Sequence, residues 1–292
     1  MTPMRAACTL LAILALGPGV SAGNEVSLVI RARSLQPGEV VVLVVTAPAS
    51  VERLRARVFG RDVPVFRIDG RTWQAVVGID LAARPGRHVA SVSAIAAAQT
   101  FEAAAELVVQ AKAFPTRRLQ VDDSFVNPPP ELTERISREA RRLEDLWSES
   151  AFDRLWSGMF RPPVPQKGIG RFGARSIFNG QPRSPHSGDD FPSPIGTPVV
   201  APGGGRIALA GDLYYSGNTV VIDHGLGLLS LLAHLSAIDV REGDNVTAGQ
   251  RVGLVGATGR VTGPHLHWAV RLQGARVDPG SLLASLGAPS RE

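Results

Sequence analysis

Apolar and polar positions alternate in short segments between residues 24 and 112. The segments are EVSLVIRAR, GEVVVLVVTA, VERLRARVFG, VPVFRI, TWQAVVGIDL, RHVASVSAI and FEAAAELVV. A period of two predicts strands. Turn residues at Pro37-Gly38, Asp69-Gly70 and Pro85-Gly86 punctuate them. Seven such strands in about ninety residues predict an immunoglobulin-like β-sandwich. The period then lengthens. Pro128, Pro129 and Pro130 end the strand pattern, and Leu132, Ile136, Ala140, Leu143 and Leu146 follow three or four apart. That spacing predicts a connecting helix near 130–148, with its Arg and Glu residues on a solvated face. From about residue 164 glycine becomes frequent and short strands return: GTPVVAPGGGRIALAG, GNTVVIDHG, LGLLSLLAHL, QRVGLVGATG and HLHWAVRL. They predict a second, antiparallel β domain. The glycines of APGGGRI and VGATG have neither a P-loop ending nor dinucleotide spacing before a helix, so they read as turns. The expected fold is mainly β, with a sandwich over 23–115, a linker with a helix over 116–160 and a second β domain over 161–292.

The first residues change the picture of where the protein works. MTPMRAACTLLAILALGPGVSA has one early charge, Arg5, then a short apolar run, then small residues. The run is too short to span a bilayer. It reads as a secretory signal peptide, 1–22, cut after Ala22. Cleavage removes Cys8, the only cysteine, so the exported chain forms no disulfide. No other stretch is long and apolar enough to cross a membrane. Periplasm is the expected location, with cell wall or extracellular medium as the alternatives. The formal charge of +5 becomes +4 on loss of Arg5. With Lys only at 112 and 167 and no long basic block, nucleic acid is not an expected partner. A weakly basic exported protein suits an anionic envelope surface.

The chemistry lies in the histidines. Five of six fall in the last domain: His186, His224, His234, His265 and His267. His88 stands alone on a strand and reads as structural or solvated. In TGPHLHWAV, His265 and His267 sit two apart, so an extended strand points both imidazoles to one face. His186 and Asp190 form a His-x3-Asp segment. Such a segment plus one histidine from elsewhere makes a three-ligand metal site with a position left open, and further histidines nearby can handle protons.

HSGDD, AHL and GPHLHW together resemble the three signature motifs of the lysostaphin-type (LytM-like) zinc endopeptidases, which cut peptides in bacterial peptidoglycan. GTPV, VIDHG, GDNVTAGQ, VGATGRVTG and VDP also resemble family segments, from about Arg171 to Leu283. The resemblance implies zinc held by His186, Asp190 and His267, with His234 and His265 as catalytic histidines. It implies peptidoglycan peptides as substrate, with cell-wall hydrolase or divisome components as further partners. It gives no catalytic role to His224, which reads as structural. The alternative is a non-catalytic relative that activates a cell-wall amidase; such relatives typically lack some of these five residues. This chain departs from the pattern in two places. Asp189 stands where the family usually has a hydrophobic residue, so it either competes for the metal or supports the ligands from behind. Leu232 stands where a Tyr is frequent, and the only tyrosines, Tyr214 and Tyr215, lie away from the first ligand.

Overall fold

In the computed structural model, which describes residues 11–15, 26–97, 99–120 and 127–287, the chain divides into two compact units, Met1–Lys112 and Ala113–Glu292. The first contains β1 (Leu11–Ala15), β2 (Ser27–Ala32), β3 (Val40–Thr46), β4 (Arg53–Val58), β5 (Arg61–Val63), β6 (Phe66–Arg67), β7 (Thr72–Gly78), β8 (Gly86–Ala96) and β9 (Gln99–Val109). They form two sheets, β1-β2-β3-β7-β6 and β5-β4-β8-β9. Inward residues of both meet in one core: Leu28, Ile30, Leu43 and Val77 from the first sheet, Leu54, Val92 and Leu107 from the second. This is the sandwich that the period-two pattern predicts, because alternation supplies each sheet with one apolar face. Of the expected leader, only Leu11–Ala15 lies within the described residues, where it pairs with β2. The cleavage position after Ala22 lies outside them. Among the described residues, no helix is long and apolar enough to cross a membrane.

The second unit contains β10 (Thr116–Leu119), α1 (Thr133–Ser148), β11 (Arg175–Phe178), β12 (Gln181–Pro182), β13 (Gly188–Phe191), β14 (Pro198–Val200), β15 (Gly205–Leu213), β16 (Gly217–Gly225), β17 (Leu228–Ile238), β18 (Asn245–Val246), β19 (Arg251–Val255), β20 (Leu266–Leu272), β21 (Ala275–Val277) and α2 (Pro279–Leu286). A nine-stranded sheet runs β13-β20-β17-β16-β15-β18, with β14, β19 and β21 attached to it. Its strand pairings are antiparallel, whereas β10 and β11, in a separate small sheet, pair in parallel. The central strands β16 and β17 are buried on both faces over most of their length. That is why LLSLLAH reads as a continuous apolar run rather than an alternating one. Trp268, Ile222 and Leu228 are fully buried.

The connecting helix does more than connect. Leu143, Leu146 and Trp147 of α1 pack on Leu209, Val221, Leu229, Leu231 and Ala269 of the sheet. Arg135 and Arg142 add ion pairs to Asp212 and Glu242. Ala269 lies two residues beyond His267 on β20, so α1 covers the continuation of the face that carries that histidine. α2 is capped by Asp278, whose side chain accepts from the Gly280 N–H at 2.9 Å, with Pro279 in the first turn.

Candidate active site

Three strands bring the predicted residues together. β13 pairs with β20 so that Asp190 faces His267, and β17 pairs with β20 so that Ala233 faces His267. His186 precedes β13. The facing atoms are close: His267 Nδ1 lies 3.0 Å from Asp190 Oδ1, His186 Nε2 3.2 Å from the same oxygen, and the two nitrogens 3.1 Å apart. Among the described residues, these three form the only group of His, Cys, Asp or Glu side chains gathered closely enough to hold a metal ion. The separations approach the edge of a tetrahedral face, about 3.3 Å for donors bonded at about 2.0–2.1 Å. Lone pairs packed this closely repel unless a proton or cation sits among them. The donor set thus fits a cation.

The backbone fixes which nitrogen each imidazole turns inward. His186 Nδ1 is 3.2 Å from the Arg171 carbonyl, His234 Nδ1 is 2.9 Å from the Thr258 carbonyl, and His265 Nδ1 is 2.8 Å from the Gly263 carbonyl. A carbonyl only accepts, so each Nδ1 carries the proton and each neutral ring offers a lone pair at Nε2. Sequence alone does not identify these acceptors. His265 Nε2 lies 3.6 Å from Asp190 Oδ1, beside the three donors rather than among them.

His234 reaches the site through a bulge. Asn218 faces Leu235 and Val220 faces Leu232, so Ala233 and His234 together oppose the single residue Thr219. Ala233 shares the face of His267. In a regular strand His234 would point to the opposite face. The extra residue, with His234 at φ 65°, re-aims its ring to 4.9 Å from His265 and 6.0 Å from His267.

Electrostatics follow from burial and proximity. Burial works to raise the Asp190 carboxyl, but hydrogen bonds and charge from His186 and His267 outweigh it and hold Asp190 well below the ordinary carboxylate range. Burial lowers His186, yet its bond to Asp190 and that charge leave it above the ordinary value. Burial, reinforced by the neighbouring His267, pushes His234 down to about 4.

The glycine of HSGDD has a steric role that residue chemistry does not signal. A Cβ on Gly188 would lie 2.4 Å from the Trp268 carbonyl oxygen and 2.8 Å from His267 Cε1. Gly188→Ala is therefore expected to push β20 and the His267 ring away, destabilising the fold by roughly 1–3 kcal/mol and weakening metal binding. Thermal unfolding and zinc titration of the variant check this.

His88, expected to be structural, lies edge-on to Phe59 at 4.9 Å in the first unit. His224 is fully buried on the sheet and touches none of the five site residues through its ring nitrogens.

Residues 184–279 match the model of peptidase family M23. A crystal structure of a Pseudomonas aeruginosa protein assigned to peptidase M23 aligns with 87% of this chain and 96% of its own, at 35% identity and a TM-score of 0.66. The chain belongs to peptidase family M23. The likeness extends through both units, not the last domain alone. Among relatives of this chain, peptidoglycan DD-endopeptidase ShyA of Vibrio cholerae is 48% identical over 95 residues, which are 32% of this chain and 22% of ShyA. DD-carboxypeptidase/endopeptidase Mpg of Neisseria meningitidis is 47% identical over 97 residues, 33% of this chain and 22% of Mpg. The chain thus spans about a fifth of the length of these curated relatives.

Proposed function

We propose that this protein is an exported zinc endopeptidase that hydrolyses amide bonds in peptidoglycan stem peptides or cross-links. One observation carries the reading: two imidazoles with Nε2 turned inward stand beside a His-Asp-His donor set on one sheet face. Two imidazoles and one carboxylate are a donor set found in catalytic zinc sites, where a position stays open. A structural zinc would be closed by four protein donors. ShyA, named a peptidoglycan DD-endopeptidase, supports peptidoglycan as the substrate, and Mpg, named a DD-carboxypeptidase/endopeptidase, supports endopeptidase chemistry. In this reading residues 161–292 are the peptidase domain, residues 23–115 position or regulate it, and the protein works in the periplasm.

His186, Asp190 and His267 would hold the zinc, which supplies Lewis acidity toward an amide carbonyl and acidifies an attacking water. The chain's own residues handle the proton. His265, with His234 beside it, accepts the proton at Nε2 as the water attacks and returns it to the leaving amine. The carbonyls of Gly263 and Thr258 keep each ring from turning while it does so. Once protonated, an imidazolium also stabilises negative charge developing on the carbonyl oxygen.

The test is peptide cleavage in purified peptidoglycan by the full exported chain. New amine ends are expected, lost on chelation and restored by zinc. If the zinc-loaded protein releases no amine ends but stimulates a cell-wall amidase, the non-catalytic alternative replaces this reading.

A further inference from the structure

Asp189 is a buried carboxylate next to a ligand. Its place in the register decides what it does. In the β13–β20 pair Asp190 faces His267 and Asp189 faces Trp268. Facing residues of an antiparallel pair share a side, and neighbours along a strand alternate. Asp189 therefore points to the side opposite the metal donors, and does not compete for the metal.

Its oxygens are taken up by backbone. Oδ1 accepts the Arg171 N–H at 2.8 Å and the Asp190 N–H at 2.9 Å; Oδ2 accepts the Gly170 N–H at 3.1 Å. The loop 168–171 is pressed against it, since a Cβ on Gly168 would lie 2.2 Å from Oδ2. The same loop lies along β13, with the Ile169 N–H donating to the Asp190 carbonyl at 3.0 Å. It also reaches two of the three donors. The Arg171 carbonyl accepts from His186 Nδ1, and Arg171 Nη1 stands 3.6 Å from Asp190 Oδ2.

We infer that Asp189 is a positioning residue for the metal site: its carboxylate clamps the loop Gly168–Arg171, so that the Arg171 carbonyl holds His186 with Nε2 turned toward Asp190 and His267. A charged acceptor suits this task, because charge-assisted bonds to N–H groups are shorter and stronger than neutral ones. The inference rests on the proposed metal site.

Asp189→Asn keeps the shape and replaces one acceptor oxygen by an N–H donor. It is expected to weaken zinc binding roughly 10- to 100-fold, as loss of an outer-shell partner does, measured by competition with a chelator. Nitrogen chemical shifts of the histidines supply a readout that general destabilisation does not produce. The His186 tautomer signature is expected to change while those of His265 and His224 stay. In the wild type, the Gly170 and Arg171 amides are expected to be protected from hydrogen exchange, which tests the clamp even if the variant does not fold. Free exchange of both amides, or unchanged zinc affinity and an unchanged His186 signature in the variant, overturns the inference alone. A wild-type chain that binds no zinc overturns it together with the proposed function.

Discussion

His265→Ala is expected to lower turnover roughly 10²- to 10⁴-fold, the range of a general acid–base group, while the protein keeps about one zinc. The geometry separates the two histidines of the HLH pair. His267 Nδ1 is 3.0–3.1 Å from both other donors, whereas His265 approaches the nearest donor oxygen only to 3.6 Å and is tied to Gly263 through its other nitrogen. His267→Ala is therefore expected to lose the zinc as well as the activity. Metal content and peptide release, measured on both variants, distinguish the roles. Equal loss of zinc from both would show that His265 is a ligand; full turnover by His265→Ala would leave His234 as the sole proton carrier. For His234 the informative variant is His234→Asn. Ala at φ 65° would mix backbone strain with loss of the ring, and Asn tolerates that conformation.

Much of this site was legible because its donors come in short motifs. His-x-His puts two imidazoles on one side of an extended segment, His-x3-Asp keeps its two donors within one short segment that turns into β13, and HSGDD, AHL and GPHLHW point to the residues the structure gathers. What was not legible depends on long-range pairing. AHL gives no sign that His234 sits on a bulge, because the register is set by Asn218 and Val220 on the next strand. The acceptor for His234 is Thr258, 24 residues away, and that for His186 is Arg171, 15 residues before it. Asp189 illustrates the point most plainly. From sequence it was either a competing ligand or a supporting group, and only the pairing with Trp268 turns it away from the metal. A signal was present in the glycines of KGIGRFG, since a loop rich in them can lie flat against a carboxylate, but nothing local says which one. In the fold, the two periods separated sandwich from helix. The sequence pattern of α1 identifies an amphipathic helix without naming its partner, and so does not reveal that its apolar side covers the site-bearing face.

The remaining large effect concerns acid, and it comes from a histidine outside the site. His224 is fully buried; its Nδ1 lies 2.7 Å from the Gly204 carbonyl and its Nε2 2.9 Å from Ser230 Oγ. The carbonyl requires a proton on Nδ1, so Nε2 accepts from the Ser230 hydroxyl, which in turn accepts from Trp268 Nε1 at 3.1 Å. The chain of bonds from Trp268 to Gly204 is complete with a neutral ring. A second proton would turn Nε2 into a donor and leave the Ser230 hydrogen to find another acceptor. Burial accordingly pushes His224 down to about 4, against the opposing effect of its bond to Gly204. Because the folded state disfavours the charged form, the unfolded chain binds more protons below the free imidazole value of about 6.5. The stability that depends on a neutral His224 is present in full above that pH, falls between about 6.5 and 4, and is constant below. The drop corresponds to roughly 3 kcal/mol, a large share of the roughly 5–15 kcal/mol that holds a domain folded. Denaturant unfolding of wild type and His224→Gln at pH 7 and pH 4 measures it. The wild type is expected to lose roughly 3 kcal/mol more than the variant over that interval, while protonation of the metal-site histidines, common to both proteins, cancels in the comparison. Equal losses would mean that His224 takes up its proton in the folded protein as readily as in the unfolded chain.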